Sequence, residues 1–360
     1  MACILAVAVV GSLSFPSLAL ATVRVDDTEL AEGSNEVGGG TATLYDSALD
    51  MVDVTAGELY IDEDLNVNFN GGNTIDDVLV AGSAEVSLNY AGENDSDDVY
   101  VQDEANVTIN ANGHNEFEEV RAYDNSSVTI NVTGENEFEE IEGYDNASIT
   151  VRGTDCQKKD TISLGEGEND TALVTDRGNL VIDHVTVNVE GKEAVIGSQN
   201  GDVTIDTSKI EGADDNEYTE IVAGGAMGIN ESVVDITGTV HSNGMMTIEH
   251  SDVKVGAPDA KYDSRPYRVY SKTGVTLIRE DNGEVRDGEI DGERVFYVDT
   301  EDNDGREVDL EADGEPGYYK CRGEALAPKT GDDTDPFVPI AAGIAGVATA
   351  WFASRRREAA

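Results

Sequence analysis

Acidic pairs recur at one spacing: Asp76-Asp77, Asp97-Asp98, Glu118-Glu119 and Glu139-Glu140. If successive copies stack, like charges fall about 5 Å apart, and each such repulsion is about 0.8 kcal/mol in water. One reading is a carboxylate ladder that binds Ca²⁺ weakly through oxygen ligands, as extracellular calcium modules do. The other is side chains that splay apart and are screened by salt. Two aromatic pairs share the spacing. Phe117 and Phe138 form a packing ladder. Tyr123 and Tyr144 form either a packing ladder or, if exposed, a platform for a glycan. The four histidines (His114, His184, His241, His250) show no metal-ligand spacing. Arg121, Arg152, Lys158, Lys159, Arg177, Lys192, Lys209 and Lys254 form no recurring constellation with acids, so no catalytic centre is expected.

The element that must position these residues is a repeat of about 21 residues, from Gly57 to Thr154. Gly71, Gly92, Gly113 and Gly134 make one column, and Asn73, Asn94, Asn115 and Asn136 another. Apolar columns follow: Val78, Val99, Val120, Ile141, then Val86, Val107, Val128, Ile149. Each copy holds short Val, Ile and Thr runs in period-2 alternation, separated by Gly, Asn and Asp. No copy has room for a helix pair. A coil cannot bury its apolar edge alone, so copies stack around a shared core. The expected fold is all-β: a right-handed parallel β-helix (β-solenoid) with a small C-terminal β cap and a C-terminal hydrophobic anchor helix. The recurring Asn either stacks side chain on side chain or occupies a left-handed turn.

The expected divisions are a signal peptide (1–21), an N-terminal tail and cap (22–54), regular coils (55–156) and irregular coils (157–256). A C-terminal β cap (257–320), a linker with a sorting motif (321–331) and a membrane span with a basic tail (332–360) follow. The uncharged, apolar stretch before Ala19-Leu20-Ala21 has the character of a secretory leader. In the irregular part Ile182, Ile205, Ile229 and Ile248 lead four related copies. The chain carries 74 acidic and 23 basic residues, net −51, which excludes nucleic acid as a partner because phosphate binding needs Lys and Arg. Cys156 and Cys321 would remain after leader removal and could pair in an oxidising compartment if they lie close enough.

The tail carries the motif with the most specific chemistry. Ala327-Pro328-Lys329-Thr330-Gly331 precedes an acidic spacer, an apolar run of about 17 residues and Arg355-Arg356-Arg357. This order resembles the sorting signal of sortase-anchored Gram-positive surface proteins, whose motif is Leu-Pro-x-Thr-Gly. Here Pro328, Lys329, Thr330 and Gly331 match, and Ala327 stands where the family has Leu. The run is just long enough to span a bilayer transiently, and the arginines hold its end in the cytoplasm. The resemblance implies cleavage between Thr330 and Gly331 by sortase and transfer of the Thr330 carboxyl to a peptidoglycan amine, leaving the protein secreted and fixed to the cell wall.

The coils resemble the pectate-lyase-like, adhesin-type β-helix. Hydrolases of that group carry clustered Asp residues and Gly-His-Gly. Here the nearest match is Asn112-Gly113-His114, which departs from it. The expected role is therefore non-catalytic display of a rigid acidic rod, adhesin-like, with no certain cofactor beyond the Ca²⁺ option. The alternatives are a carbohydrate-binding surface module, with or without Ca²⁺, and a polysaccharide lyase; the expected partners are sortase and peptidoglycan, with host or plant glycans or surface proteins as further options.

Overall fold

In the computed structural model, residues 23–153, 160–165, 170–213, 216–249, 251–256, 269–273, 275–278, 294–295 and 319–322 are described. The leader, the sorting motif Ala327–Gly331, the membrane span and Cys156 lie outside them, as does most of the C-terminal β cap expected over 257–320. The described residues form no helix. They build a right-handed-type β-solenoid of about nine turns.

The 21-residue spacing is the rung-to-rung register. Residues 106–122 pair in parallel with 85–101 behind and with 127–143 ahead, each residue against its counterpart 21 positions away. Asn106–Ala122 and Ser127–Gly143 are each one long strand bent at two corners, so one repeat supplies three faces. The partners of Ser127–Gly143 reveal the division. Residues 127–132 pair with Ser148–Gly153, 135–138 with Thr161–Leu164, and 140–143 with Thr171–Thr175. Beyond Gly153 the same three faces continue as separate short strands. The leading isoleucines Ile182, Ile205, Ile229 and Ile248 all fall on the first face, directly above one another.

Alternation explains the core. Inward residues of the first face, such as Leu88, Ile109, Ile130 and Val151, are fully buried, and they belong to one apolar cluster that runs from Val23 to Val269. Large and small side chains compensate across it. Phe69 and Tyr90 stack with centroids 4.3 Å apart on the first wall, and Phe117 and Phe138 stack at 4.7 Å on the second. Tyr90 faces Ser96, whereas Phe117 faces a rung in which Ala111 has replaced the aromatic. The bulky aromatic thus changes walls between the Tyr90 and Phe117 rungs, with a small residue opposite it on each.

The corners assign the two turn residues. Gly71, Gly92, Gly113 and Gly134 have φ between 86° and 112°, so the left-handed backbone belongs to glycine. The turn between the third face and the next rung places Asp103, Asp124 and Asp145 at φ 63°, 60° and 55°. The Asn column is a buried stack. Asn73, Asn94 and Asn115 each donate from Nδ2 to the Oδ1 of the next Asn, at 3.1, 3.2 and 2.8 Å. Of the two roles open to Asn, side-chain stacking is the one it performs.

Both ends are closed by antiparallel strands, which protect the edges that a stacked parallel sheet would otherwise expose. At the start Gly33–Val37, Gly40–Tyr45 and Ala48–Val52 form a meander whose last strand begins the first face, and Val23–Val25 runs antiparallel to Thr55–Ile61. The segment expected to begin as a loose tail is therefore strand from Val23 onward. Near the other end Tyr319–Arg322 pairs antiparallel with Asp252–Gly256, and Arg294–Val295 with Val269–Ser271.

Candidate functional site

The third face collects the charge. Glu58, Asp77, Asp98, Glu119 and Glu140 occupy matched positions on five successive rungs. The other half of each predicted pair (Asp76, Asp97, Glu118, Glu139) falls in the bend between the second and third faces, at the break in the paired register. The single column expected from sequence is therefore two. Burial, then the neighbouring Asp98, holds the Asp77 carboxyl above the usual range. Burial, then Asp95 and Asp76, does the same for Asp97, and burial, then Asp98 and Glu139, for Glu118.

Two residues further along the third face, Tyr60, Leu79, Tyr100, Arg121 and Glu142 stack in register. Arg121 is ion-paired with Glu119 on its own rung, and its Nε lies 3.5 Å from Glu142 on the next. Burial works against the guanidinium charge, but Glu119 and Glu142 outweigh it and keep it protonated. Burial raises the Glu119 carboxyl while Arg121 pulls it back down. The phenols complete the neutralisation: Tyr100 donates to Asp98 at 2.6 Å and Tyr144 donates to Glu142. Burial, then Glu142, pushes the Tyr144 hydroxyl far up, so it remains a donor. Sequence reasoning missed Arg121 here because it stands two residues off the acidic column.

These contacts describe the surroundings of the residues considered for calcium and for a glycan. A cation needs several oxygens converging at about 2.3–2.6 Å. The acids of the third face follow one another rung by rung, Glu140 buried among them, and among the described residues no group of three or more His, Cys, Asp or Glu could hold a metal ion. Tyr123 and Tyr144 stack face to face, centroids 5.0 Å apart and 8° from parallel. Each covers one ring face of the other, and both are half-buried. The described histidines are dispersed: His114 lies 3.9 Å from Glu116 and from Glu137, His184 contacts Asp183, and His241 lies 3.4 Å from Glu220, while His250 lies outside the described residues.

The first face is chemically different. Its outward positions carry a hydroxyl and amide grid. Ser87, Thr108, Thr129 and Thr150 stack in one column, and Asn68, Asn89, Asn110 and Asn131 in the next. The amides are linked along the rod: Asn89 donates to Asn68 at 3.0 Å, Asn110 to Asn89 at 2.7 Å and Asn131 to Asn110 at 2.8 Å. Asn68 ends the chain of bonds on Asp50 at 2.7 Å. On the outward positions of residues 65–70, 85–91, 106–112, 127–133 and 148–152 the charged members are Glu85 and Arg152. The signal in the sequence was the recurrence of Ser-Leu-Asn, Thr-Ile-Asn and Thr-Ile-Asn at the same repeat position. It reads as ordinary strand alternation until the register shows the polar members side by side.

No family model, no curated protein and no solved structure matches this chain. The functional reading rests on the geometry and on the tail motif.

Proposed function

We propose that the protein is a wall-anchored surface display protein, a rigid acidic rod held outside the cell by its C-terminal end. The observation that carries this reading is the order Pro328-Lys329-Thr330-Gly331, apolar run, triple arginine, at the end of a chain whose preceding part is a solenoid. Stacked rungs about 4.8 Å apart give about nine turns a length on the order of 40 Å. Such a rod resists collapse because each rung is hydrogen-bonded to both neighbours. Its acidic surface repels other anionic polymers and keeps it soluble. In this reading sortase joins Thr330 to peptidoglycan, and the apolar run spans the membrane before cleavage.

The test is fractionation of a sortase-bearing Gram-positive host that expresses the full chain. The native chain should leave the envelope when muramidase digests the wall and should resist detergent. Thr330→Ala should shift it to the detergent-soluble membrane fraction. Detergent release of the native chain, or the same distribution for both chains, would refute wall attachment.

A further inference from the structure

We propose that Asn70-Gly71 is a site of spontaneous covalent modification, where Asn70 loses its side-chain amide and becomes aspartate or isoaspartate while the fold protects the other Asn-Gly pairs of the rod. The inference concerns the solenoid alone and does not depend on how the chain is anchored.

The first observation is that the fold treats like dipeptides differently. Asn precedes Gly at Asn70, Asn112, Asn200, Asn243 and Asn282, the last outside the described residues. In each, glycine has no side chain to keep its backbone nitrogen away from the preceding carboxamide. Both partners of the Asn200-Gly201 pair are held. Asn200 Nδ2 donates to the Asp176 carbonyl at 3.1 Å and to its Oδ1 at 3.2 Å, and the Gly201 N–H donates to Ser198 Oγ at 2.8 Å. The Gly244 N–H, after Asn243, donates to the Gly225 carbonyl at 2.8 Å. Asn112-Gly113 lies inside the strand Asn106–Ala122, where Gly113 is paired with Gly92 on one side and Gly134 on the other.

The second observation is that Asn70-Gly71 lacks these restraints. Asn70 is the last residue of the strand Leu65–Asn70, and Asn70, Gly71 and Gly72 are all exposed. Gly71 has φ 89°, and two successive glycines let the corner absorb a turn of the Asn70-Gly71 peptide plane. Among the described residues neither the Asn70 carboxamide nor the Gly71 N–H makes a hydrogen bond. Asn73 Nδ2 donates to the Asn70 main-chain carbonyl at 3.1 Å. That bond polarises the Asn70-Gly71 amide and makes its N–H a better acid.

The chemistry needs only water. The Gly71 nitrogen gives up its proton to solvent and attacks Asn70 Cγ. A new C–N bond forms, the side-chain nitrogen leaves as ammonia, and a five-membered cyclic imide remains. Water then opens the ring. Cleavage at Cγ leaves aspartate in an ordinary backbone. Cleavage at the main-chain carbonyl leaves isoaspartate, with the chain running through Cγ. One water is consumed and one ammonia released. Isoaspartate lengthens the main chain by one carbon and removes the carbonyl that holds Asn73, the first amide of the buried stack. Either product adds a carboxylate beside the bend in which Asp53 Oδ1 accepts from the Gly72 N–H at 3.3 Å.

The experiment is peptide mapping by mass spectrometry of the purified full chain, aged at mildly alkaline pH in buffer and, in parallel, in guanidinium chloride. In buffer Asn70 should convert at least about tenfold faster than Asn112, Asn200 or Asn243, a barrier difference of about 1.4 kcal/mol. In guanidinium chloride that ordering should vanish, because the unfolded chain keeps none of the restraints. Isoaspartyl methyltransferase with a labelled methyl donor should mark the peptide that contains residue 70 in the chain aged in buffer. Asn70→Gln, an exposed change that keeps the amide, should remove that mark, since its imide would need a less favourable six-membered ring. Conversion of any of the other three as fast as Asn70 in buffer, the same ordering in guanidinium chloride, or an undiminished mark on that peptide in Asn70→Gln would overturn the proposal. Muramidase release reads wall attachment separately, so either proposal can fail while the other stands.

Discussion

Replacing Asn115 by Ala removes the middle of the buried amide stack. The Asn115 side chain donates to Asn136 at 2.8 Å and accepts from Asn94 at 3.2 Å, and its residue is fully buried. Asn94 keeps a long bond to the Ala91 carbonyl at 3.3 Å, and Asn136 keeps the Asn115 backbone N–H at 3.2 Å, so neither neighbour is left wholly without a partner. Two buried hydrogen bonds at about 1 kcal/mol each, with the small void left behind, put the loss at about 3 kcal/mol. Asn131 provides the contrast: it sits in the outer ladder, half-exposed, where water replaces the lost bond, and Asn131→Ala should cost about 1 kcal/mol or less. The assay is urea unfolding followed by circular dichroism, with both variants measured beside the native chain. In a stacked array rungs couple mainly to their neighbours, so the Asn115 variant should also broaden or split the transition around the middle rungs. Equal midpoint shifts for the two variants would refute the reasoning that the corner stack is a structural spine.

Asp77, Asp97, Glu118 and Glu119 all have carboxyl pKa values raised in the folded state, by burial first. The folded chain therefore binds more protons than the unfolded chain just above the usual carboxylate range, and stability falls as pH rises through that window. Thermal midpoints should increase as pH is lowered from 7 toward about 5, and Asp77→Asn with Glu118→Gln should flatten the profile. A native profile that falls over that interval would contradict the assignment. Arg121→Met leaves Glu119 and the buried Glu142 without their cation and should destabilise the fold by about 3 kcal/mol in thermal or urea melts, with part of the loss restored by adding Glu142→Gln. Gly113→Ala forces a Cβ to 2.7 Å from the Gly92 carbonyl oxygen at φ 112°, whereas a Cβ on Gly92 at φ 99° meets nothing within 4 Å. Both substitutions should lower the melting temperature, and Gly113→Ala should do so by the larger amount.

The period of the rod was legible because a parallel stack places each side chain over its counterpart, so identical spacing in sequence becomes identical position in space. That is why the Gly, Asn and Ile columns, and the Phe117–Phe138 stack, can be read directly from the letters. The faces were less legible. A 17-residue strand such as Asn106–Ala122 bends twice without a break in its alternation, and only the pairing of Ser127–Gly143 with three separate strands reveals where. For the same reason the paired acids looked like one column although a bend separates them, while Arg121 and Glu142, one 21-residue period apart, follow the readable register. The neutral grid was hidden for another reason: Thr and Asn at alternate strand positions are ordinary in a half-exposed strand, and their meaning arises from their neighbours on other rungs. The N-terminal meander uses antiparallel pairing, which carries no repeat for a period search to find.

The rod and its faces depend on which residues lie side by side on successive rungs, and oxidative trapping measures that directly. In a chain whose native cysteines are replaced by serine, Thr108→Cys with Thr129→Cys should form an intramolecular disulfide, since adjacent parallel strands place paired Cα atoms about 4.8 Å apart, within bonding reach. Thr108→Cys with Thr150→Cys, two rungs apart at roughly 9.6 Å, should not. Mass spectrometry after mild oxidation distinguishes them, and cross-linking of the second pair as readily as the first would contradict the register on which the rod, its charged face and its neutral face all rest.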